Sequence, residues 1–530
     1  MLAKFLPVGE WLTRRADLVP QKAALIDGAT GEVITYAEFN RRAKALAAAL
    51  ASKYAVMVGD RVAVVAQNSV EYLALFMACA KIGAILAPLN WRLTASELAV
   101  IFKDCEPKLV VYDTAFAEKA QSAAQSAQSP APRPARGIFS FGSAKQAPVL
   151  DPPMFTDFAG LTAAASGNYP PAPVLRTADG EEIALILYTS GTTGTPKGAM
   201  LSHRMITWNA VNTQISWGLR DDDIYPNFSP FFHAGGLNVL TTPMFHCGGT
   251  VVTLSSGAPA DILNAIGRFK CTVVFAVPTV FQMMAEHEQF AAADFSSTRF
   301  CISGGSSCPL PVIERYVARG IQFRQGYGLT EAGVNCFSLA PEDAARKVGS
   351  VGKPIFHSFA RIVDAQNADA PDGSAGELVL AGPHICSGYW RREEATRAAY
   401  SDGWWHTGDI ARKDEEGYYF IVGRIKDMYK SGGENVYPAE VEAILGTCPG
   451  VRDIAVIGVP DEKWGESGAA FITVTGAGAV SADDVRRYAE SRLAKFKRPA
   501  HIFFVEELPR NAMGKVVKTA LLQRYTEQKQ

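Results

Sequence analysis

Residues 188–198 read Tyr-Thr-Ser-Gly-Thr-Thr-Gly-Thr-Pro-Lys-Gly. Glycines such as Gly191 and Gly194 let main-chain N–H groups close on an anion. The hydroxyls of Thr189, Ser190, Thr192 and Thr193 add donors, and Lys197 adds a mobile positive charge. The chemistry such a run offers is a grip on polyphosphate. The apolar residues 183–188 ahead of it read as a buried strand, and Ser202 behind it can cap a helix running toward Trp217. The run itself reads as neither helix nor ordinary strand. A hydrolase loop of the Gly-Lys-Ser/Thr type is disfavoured, because Pro196 precedes Lys197 and Gly198 follows it. A plain Gly/Ser/Thr linker is the bland alternative, and the loop alone does not remove it.

Further marks follow in order: Gln325-Gly-Tyr-Gly-Leu-Thr-Glu331, Thr407-Gly-Asp409, Gly423-Arg-Ile-Lys-Asp427, Lys430-Ser-Gly-Gly-Glu-Asn-Val-Tyr-Pro438 and Pro509-Arg-Asn-Ala-Met-Gly-Lys515. Each taken alone has a commonplace explanation. Tyr327 between Gly326 and Gly328 suits packing, Glu331 a solvated surface acid, Asp409 a turn cap, Arg424 a surface ion pair, and His233 beside two phenylalanines a core histidine. An exposed lysine such as Lys515 near a chain end usually has no role.

Taken together, the marks resemble the adenylate-forming superfamily of acyl-CoA synthetases, luciferases and peptide-synthetase adenylation domains. The resemblance runs from Tyr36 to Lys518, nearly the whole chain. It implies an α/β fold: a large N-terminal domain of layered α/β sheets, 1–425, and a small mobile C-terminal α+β domain, 426–530, with its hinge near Lys426. ATP or AMP would meet Thr189, Ser190, Gly191, Thr192, Thr193, Gly194, Lys197, Gly305, Gly326, Tyr327, Gly328, Thr330, Asp409, Arg424 and Lys515. Tyr327 would stack on adenine, Asp409 would accept the ribose hydroxyls, and Thr330 would meet the α-phosphate. Glu331 would hold Mg2+ as a hard oxygen ligand. Lys515 would bridge carboxylate and α-phosphate, and His233 would guard the acyl site; Lys515, Thr330 and His233 form the implied catalytic set. The acyl wall would come from His233, Gly235, Gly236, Asn238, Val239, Ala276, Val277, Pro278 and Gly304. Ser431, Gly432, Gly433, Lys495 and Lys497 would line the path of coenzyme A.

The implied reaction joins a carboxylic acid to coenzyme A through an acyl adenylate, consuming ATP and releasing AMP and pyrophosphate. No acid stands in residues 229–233, where amino-acid-activating relatives carry an Asp, so an α-amino acid is disfavoured. The small, apolar wall suits an uncharged tail. A medium- or long-chain fatty acid is the leading expectation. A coumarate- or ferulate-type aryl acid is the alternative, as is an acyl-AMP ligase loading a carrier protein.

The remaining sequence bounds the setting. The 530 residues are 48% hydrophobic and 20% charged, with a net charge of -1, which leaves no footprint for nucleic acid. Nine cysteines include no C-x-x-C pair, and residues 1–7 lack a signal-peptide core; reduced thiols in a cytoplasmic protein are expected. No apolar stretch reaches membrane-spanning length. Peripheral membrane contact stays open, as does the oligomeric state, with a dimer compatible. Thr35 with Glu38 fits a capping box before a helix through residue 50. Strands are expected at 60–65, 109–112, 273–277 and 300–303, and a helix at 70–82. Residues 117–153, rich in Ala, Gln, Ser and Pro, are expected to form a partly disordered surface insertion.

Overall fold

The computed structural model describes residues 5–127, 154–189, 196–306, 308–344, 346–476, 478–510 and 516–529. The chain alternates strands and helices, and α/β layers result. One sheet has six strands in the order Met154–Asp157, Leu109–Tyr112, Arg61–Val65, Ile85–Leu89, Ile183–Thr189 and Lys197–Ser202. Its first five strands run parallel and the last is antiparallel. The helix Val70–Ile82 is buried on nearly all sides, as its unbroken apolar sequence requires. Ser69 caps its start, and Gly83 ends it at φ 73°.

A second sheet joins Val33–Thr35, Ala23–Asp27, Thr250–Thr253 and Ile224–Asn227; a third runs Val273–Ala276, Phe300–Ser303, Gln322–Tyr327, Phe337–Ser338 and Lys353–Pro354. Asp223 fastens the two. It is fully buried, and its carboxylate accepts from Arg299 at 2.6 Å, Thr272 Oγ1 at 2.7 Å and the Arg220 N–H at 2.7 Å. A fourth, antiparallel sheet pairs Trp404–Lys413 with Gly376–Ala381 and Tyr419–Arg424.

Beyond a short turn at Ile425–Asp427 lies a smaller α+β region. Its sheet centres on the antiparallel pair Val451–Asp461 and Gly465–Val474. Alternate residues feed two cores. Val456, Ala470 and Ile472 pack with residues of the helices Pro438–Leu445 and Ala482–Glu490, while Ala455, Ile457 and Phe471 pack with Leu521 and Tyr525 of Lys518–Lys529. Among the described residues, no helix is long and apolar enough to cross a membrane.

Three sequence expectations need correction. Residues 117–127 are a helix, Ala117–Ala127, packed by Ala120, Ala123 and Ala124 against Leu98 and Phe102. The alanines that read as low complexity recur at helical spacing and allow close packing; residues 128–153 lie outside the described residues. The run at 188–198 is strand at both ends: Tyr188 faces Gly198 and Thr189 faces Lys197 in an antiparallel hairpin. A second strand thus stands between the loop and the helix His203–Trp217, which Ser202 does cap. Thr35 accepts the Glu38 N–H, but the Glu38 carboxylate turns to Arg41 and Arg42 rather than closing a capping box.

Removing the Asp223 carboxylate strands Arg299 and two further donors at a sheet junction. Asp223→Ala is expected to cost about 3 kcal/mol, read as a lower midpoint in thermal unfolding. An unchanged midpoint would show that the junction does not depend on this charge.

Candidate active site

Two polar clusters form where the first, third and fourth sheets meet. The first is built on Tyr327, at the end of the strand Gln322–Tyr327. Its hydroxyl donates to Asp409 Oδ2 at 2.6 Å. Asp409 and Arg424 face each other across paired antiparallel strands, and Arg424 Nε lies 2.9 Å from Asp409 Oδ1. Tyr327, Asp409 and Arg424, far apart in sequence, are therefore one cluster. Asp409 is 4% exposed; its two oxygens already serve protein donors, and its remaining lone pairs are what a ribose could use. Gly328 permits the tight exit from this strand, since an added methyl would sit 2.3 Å from the Val334 carbonyl oxygen.

The second cluster is built on Glu331, in the turn Thr330–Ala332. Burial raises its carboxyl pKa, and the Tyr389 hydroxyl, donating to Glu331 Oε1 at 2.9 Å, pulls it back down. The turn is held from behind by His384, whose ring lies 2.5 Å from the Ala332 carbonyl. Burial lowers the His384 pKa to about 4, so the ring is neutral and Nδ1–H donates that bond. Lys197 Nζ lies 5.2 Å from the centre of the Tyr389 ring, within cation–π range. Tyr389 thus touches both the lysine at the loop and the glutamate. Its main chain is docked beside the outgoing strand, where the Trp390 N–H donates to the Gly198 carbonyl at 2.7 Å. Ser190, Gly191, Thr192, Thr193, Gly194 and Lys515 lie outside the described residues.

A partly buried carboxylate of this kind fits Mg2+ held by one carboxylate plus substrate oxygens. Among the described residues no cluster of three or more His, Cys, Asp or Glu offers an all-protein metal cage. When bound, the ion would supply charge neutralisation beside the phosphates.

Asn68 holds the segment leading to His233: its Nδ2 donates to the Ser229 carbonyl at 2.8 Å and its Oδ1 accepts the Phe231 N–H at 3.0 Å. His233 packs on Phe232, and Gly235–Val239 form one turn of π-helix. The expected wall divides. A methyl added to Gly235 would meet the Phe275 ring at 3.6 Å, and one added to Gly304 would meet it at 3.4 Å. Gly305 turns at φ 87° beside Val277. Gly236 instead serves the turn, since an added methyl would sit 2.2 Å from the Pro230 carbonyl oxygen. Ala276, Pro278 and Val239 are buried, and Asn238 lines a crevice of about 10 Å³ with Thr330, Asn209 and Met205, room for one water.

In the small region, Ser431 and Glu434 pair across a hairpin whose two-residue turn is Gly432-Gly433, at φ 61° and 88°. Positive φ at both positions is what this turn demands, so the glycines have a local reason. Trp464 lies against Gly432, and Ser431 is buried. Lys495 is exposed, whereas Lys497 is paired with Glu440 at 2.6 Å. Tyr389 and Phe275 escaped the sequence reading. Tyr389 stands 58 residues from its partner Glu331 with no motif signal, and Phe275 reads as one more core residue of a strand.

The profile of the AMP-binding enzyme family matches residues 12–390, and that of the AMP-binding enzyme C-terminal domain matches residues 440–515. Feruloyl-CoA synthase of an Amycolatopsis species is 37% identical over 98% of this chain and 99% of its own.

The chain belongs to the AMP-binding enzyme family.

A long-chain-fatty-acid–CoA ligase of Mycobacterium tuberculosis, FadD13, is 35% identical over 98% of both chains. The solved structure of ATP-bound MatB from Rhodopseudomonas palustris superimposes with a TM-score of 0.86 at 32% identity, over 98% of this chain and 99% of that one. This AMP-binding enzyme is an ATP-dependent, AMP-forming acid–CoA ligase, with ATP, Mg2+ and coenzyme A as its cofactor and co-substrates.

Tyr389→Phe removes the hydroxyl that lowers the Glu331 pKa and keeps the ring beside Lys197. The carboxyl then protonates at higher pH, so the acid limb of the pH–rate profile for adenylate formation should move upward, with a several-fold higher Mg2+ requirement, as loss of about 1 kcal/mol implies. Superimposable pH profiles would refute this link between Tyr389 and Glu331.

Proposed function

We propose that the acid this ligase activates is aromatic, an aryl or arylpropenoid carboxylic acid. The observation that carries this reading is the Phe275 ring lying between Gly235 and Gly304. Two residues without side chains beside an aromatic ring suit a flat, ring-bearing acid, because ring–ring contact is worth about 0.5–1.5 kcal/mol beyond burial. The resemblance to feruloyl-CoA synthase points the same way. The fatty-acid reading keeps the support of the FadD13 likeness, at 35% identity.

In the reaction, a carboxylate oxygen attacks the α-phosphorus of ATP, the bond to the bridging oxygen breaks and pyrophosphate leaves. The sulfur of coenzyme A then attacks the acyl carbon, and AMP leaves. The first step brings two anions together, so positive charge must stand between them. In our reading Lys197 serves the triphosphate, Thr330 the α-phosphate, and Lys515 the line between carboxylate and phosphorus. The face of Tyr327 meets adenine, and Asp409 with Arg424 meets ribose. The small region turns about Lys426 between steps, after which Gly433 and Lys495 meet coenzyme A; Lys497 joins them only by releasing Glu440. The turn Ile425–Asp427 supports this hinge, as does the exposed ion pair Arg452–Glu286, a contact between the regions worth under about 1 kcal/mol. A cytoplasmic setting is supported by nine cysteines that are all buried and unpaired.

Thioester formation across a panel of acids tests the substrate. Hydroxycinnamates should exceed octanoate and palmitate in kcat/KM by at least about tenfold, and the opposite ranking would replace this reading with the fatty-acid one. The two steps separate by mutation. Lys515→Ala should abolish acyl-adenylate formation and spare thioester formation from supplied adenylate, while Lys426→Pro should do the reverse. Equal loss of both steps in either variant would contradict the assigned division.

A further inference from the structure

Asp104 lies in the last turn of the helix Ala95–Cys105, outside every motif described above. Its side chain is 11% exposed. Its Oδ2 accepts the Tyr188 hydroxyl at 2.7 Å, and its Oδ1 accepts Arg392 Nη2 at 2.8 Å. Its main-chain carbonyl accepts Trp390 Nε1 at 3.2 Å and Arg391 Nη1 at 2.9 Å. Arg391 is further tied to Glu106 at 2.7 Å. One residue thus takes donors from two places far apart in sequence.

Those two places matter. Tyr188 is at the end of the strand that feeds the phosphate loop. Residues 390–392 directly follow Tyr389, which meets both Lys197 and Glu331. The same segment is docked beside the strand that leaves the loop: the Met200 N–H donates to the Gly388 carbonyl at 2.8 Å, and the Trp390 N–H to the Gly198 carbonyl at 2.7 Å. Incoming strand, Asp104, residues 388–392 and outgoing strand therefore close a frame around the base of the loop. A recess of about 250 Å³ opens beside Asp104, Tyr188 and Arg392, with Pro196 on its rim. Beside that recess, the hydrogen bonds of Asp104 tie the two elements together.

We infer that Asp104 is a positioning residue for the adenylation step, holding the phosphate-loop strand and the Tyr389 segment at the spacing that lets Lys197 and Glu331 act on one bound MgATP. It touches no substrate. The inference rests on the proposed roles of Lys197 and Glu331. Its chemistry is that of an outer-shell carboxylate: two oxygens, two donors on different elements, and little freedom once both bonds are made.

The test measures both half-reactions on the full chain. Asp104→Asn keeps the shape but loses the charge and one acceptor. It should raise KM for MgATP in acid-dependent pyrophosphate release by about tenfold. KM for the acid and thioester formation from supplied acyl adenylate should stay at their unmodified values. Tyr188→Phe removes one of the two side-chain bonds and leaves the Arg392 pair; it should move KM for MgATP the same way by a smaller factor. The double variant should be no worse than Asp104→Asn alone, because the two changes break one shared bond. An unmoved KM for MgATP, or equal loss in both half-reactions, would overturn the inference. If Asp104→Asn does not fold, Tyr188→Phe alone decides on the same readout. Lys197→Ala and Glu331→Gln run alongside. Should neither impair adenylation, the site reading fails and takes this inference with it; should both impair it while Asp104→Asn and Tyr188→Phe do not, only the inference falls.

Discussion

The arrangement turns on one phenol. Tyr389 gives its hydroxyl to Glu331 and its ring face to Lys197, so a carboxylate and an ammonium group share a spacer. Without ligand, a lysine and a glutamate set close together would pair and neutralise each other. The ring keeps them apart yet lowers the cost of each charge, by a hydrogen bond on one side and a quadrupole on the other. An ammonium and a carboxylate therefore meet different parts of one aromatic side chain. Much of the N-terminal fold serves this geometry. The first sheet supplies the hairpin that ends in Lys197, and the third supplies the strand that runs toward Glu331.

The sequence made the elements readable where composition and caps agreed. The helix Val70–Ile82 and the strands Leu109–Tyr112 and Phe300–Ser303 fall where their patterns put them, and Ser202 caps the helix His203–Trp217. It misled where composition pointed away from packing, as with the alanines of Ala117–Ala127 and the threonine and lysine at the ends of the hairpin. Among site residues, those within motifs were legible as types. Their grouping was not, because Tyr327, Asp409 and Arg424 meet only through the pairing of distant strands. Tyr389 and Asp104 were invisible for the same reason: each gains its meaning from partners on other elements, and no local spacing encodes that.

The acyl and thiol sides show how a residue can satisfy a motif and a local need together. Gly432 and Gly433 are demanded by a tight hairpin, and Gly236 by the carbonyl of Pro230. Gly235 and Gly304 have no such close backbone neighbour; a methyl on either would rest against the Phe275 ring. This contrast separates glycines that the chain path requires from glycines set beside an aromatic side chain.

The nine cysteines have a practical side. Every one is buried, and burial raises the pKa of each thiol. Thiolate is the reactive species, so alkylating dyes and spin labels find few native targets on the folded chain. A single new thiol on each side of Ile425–Asp427 would therefore carry a reporter pair against a dark background, and motion between the two regions could be followed in the otherwise natural protein.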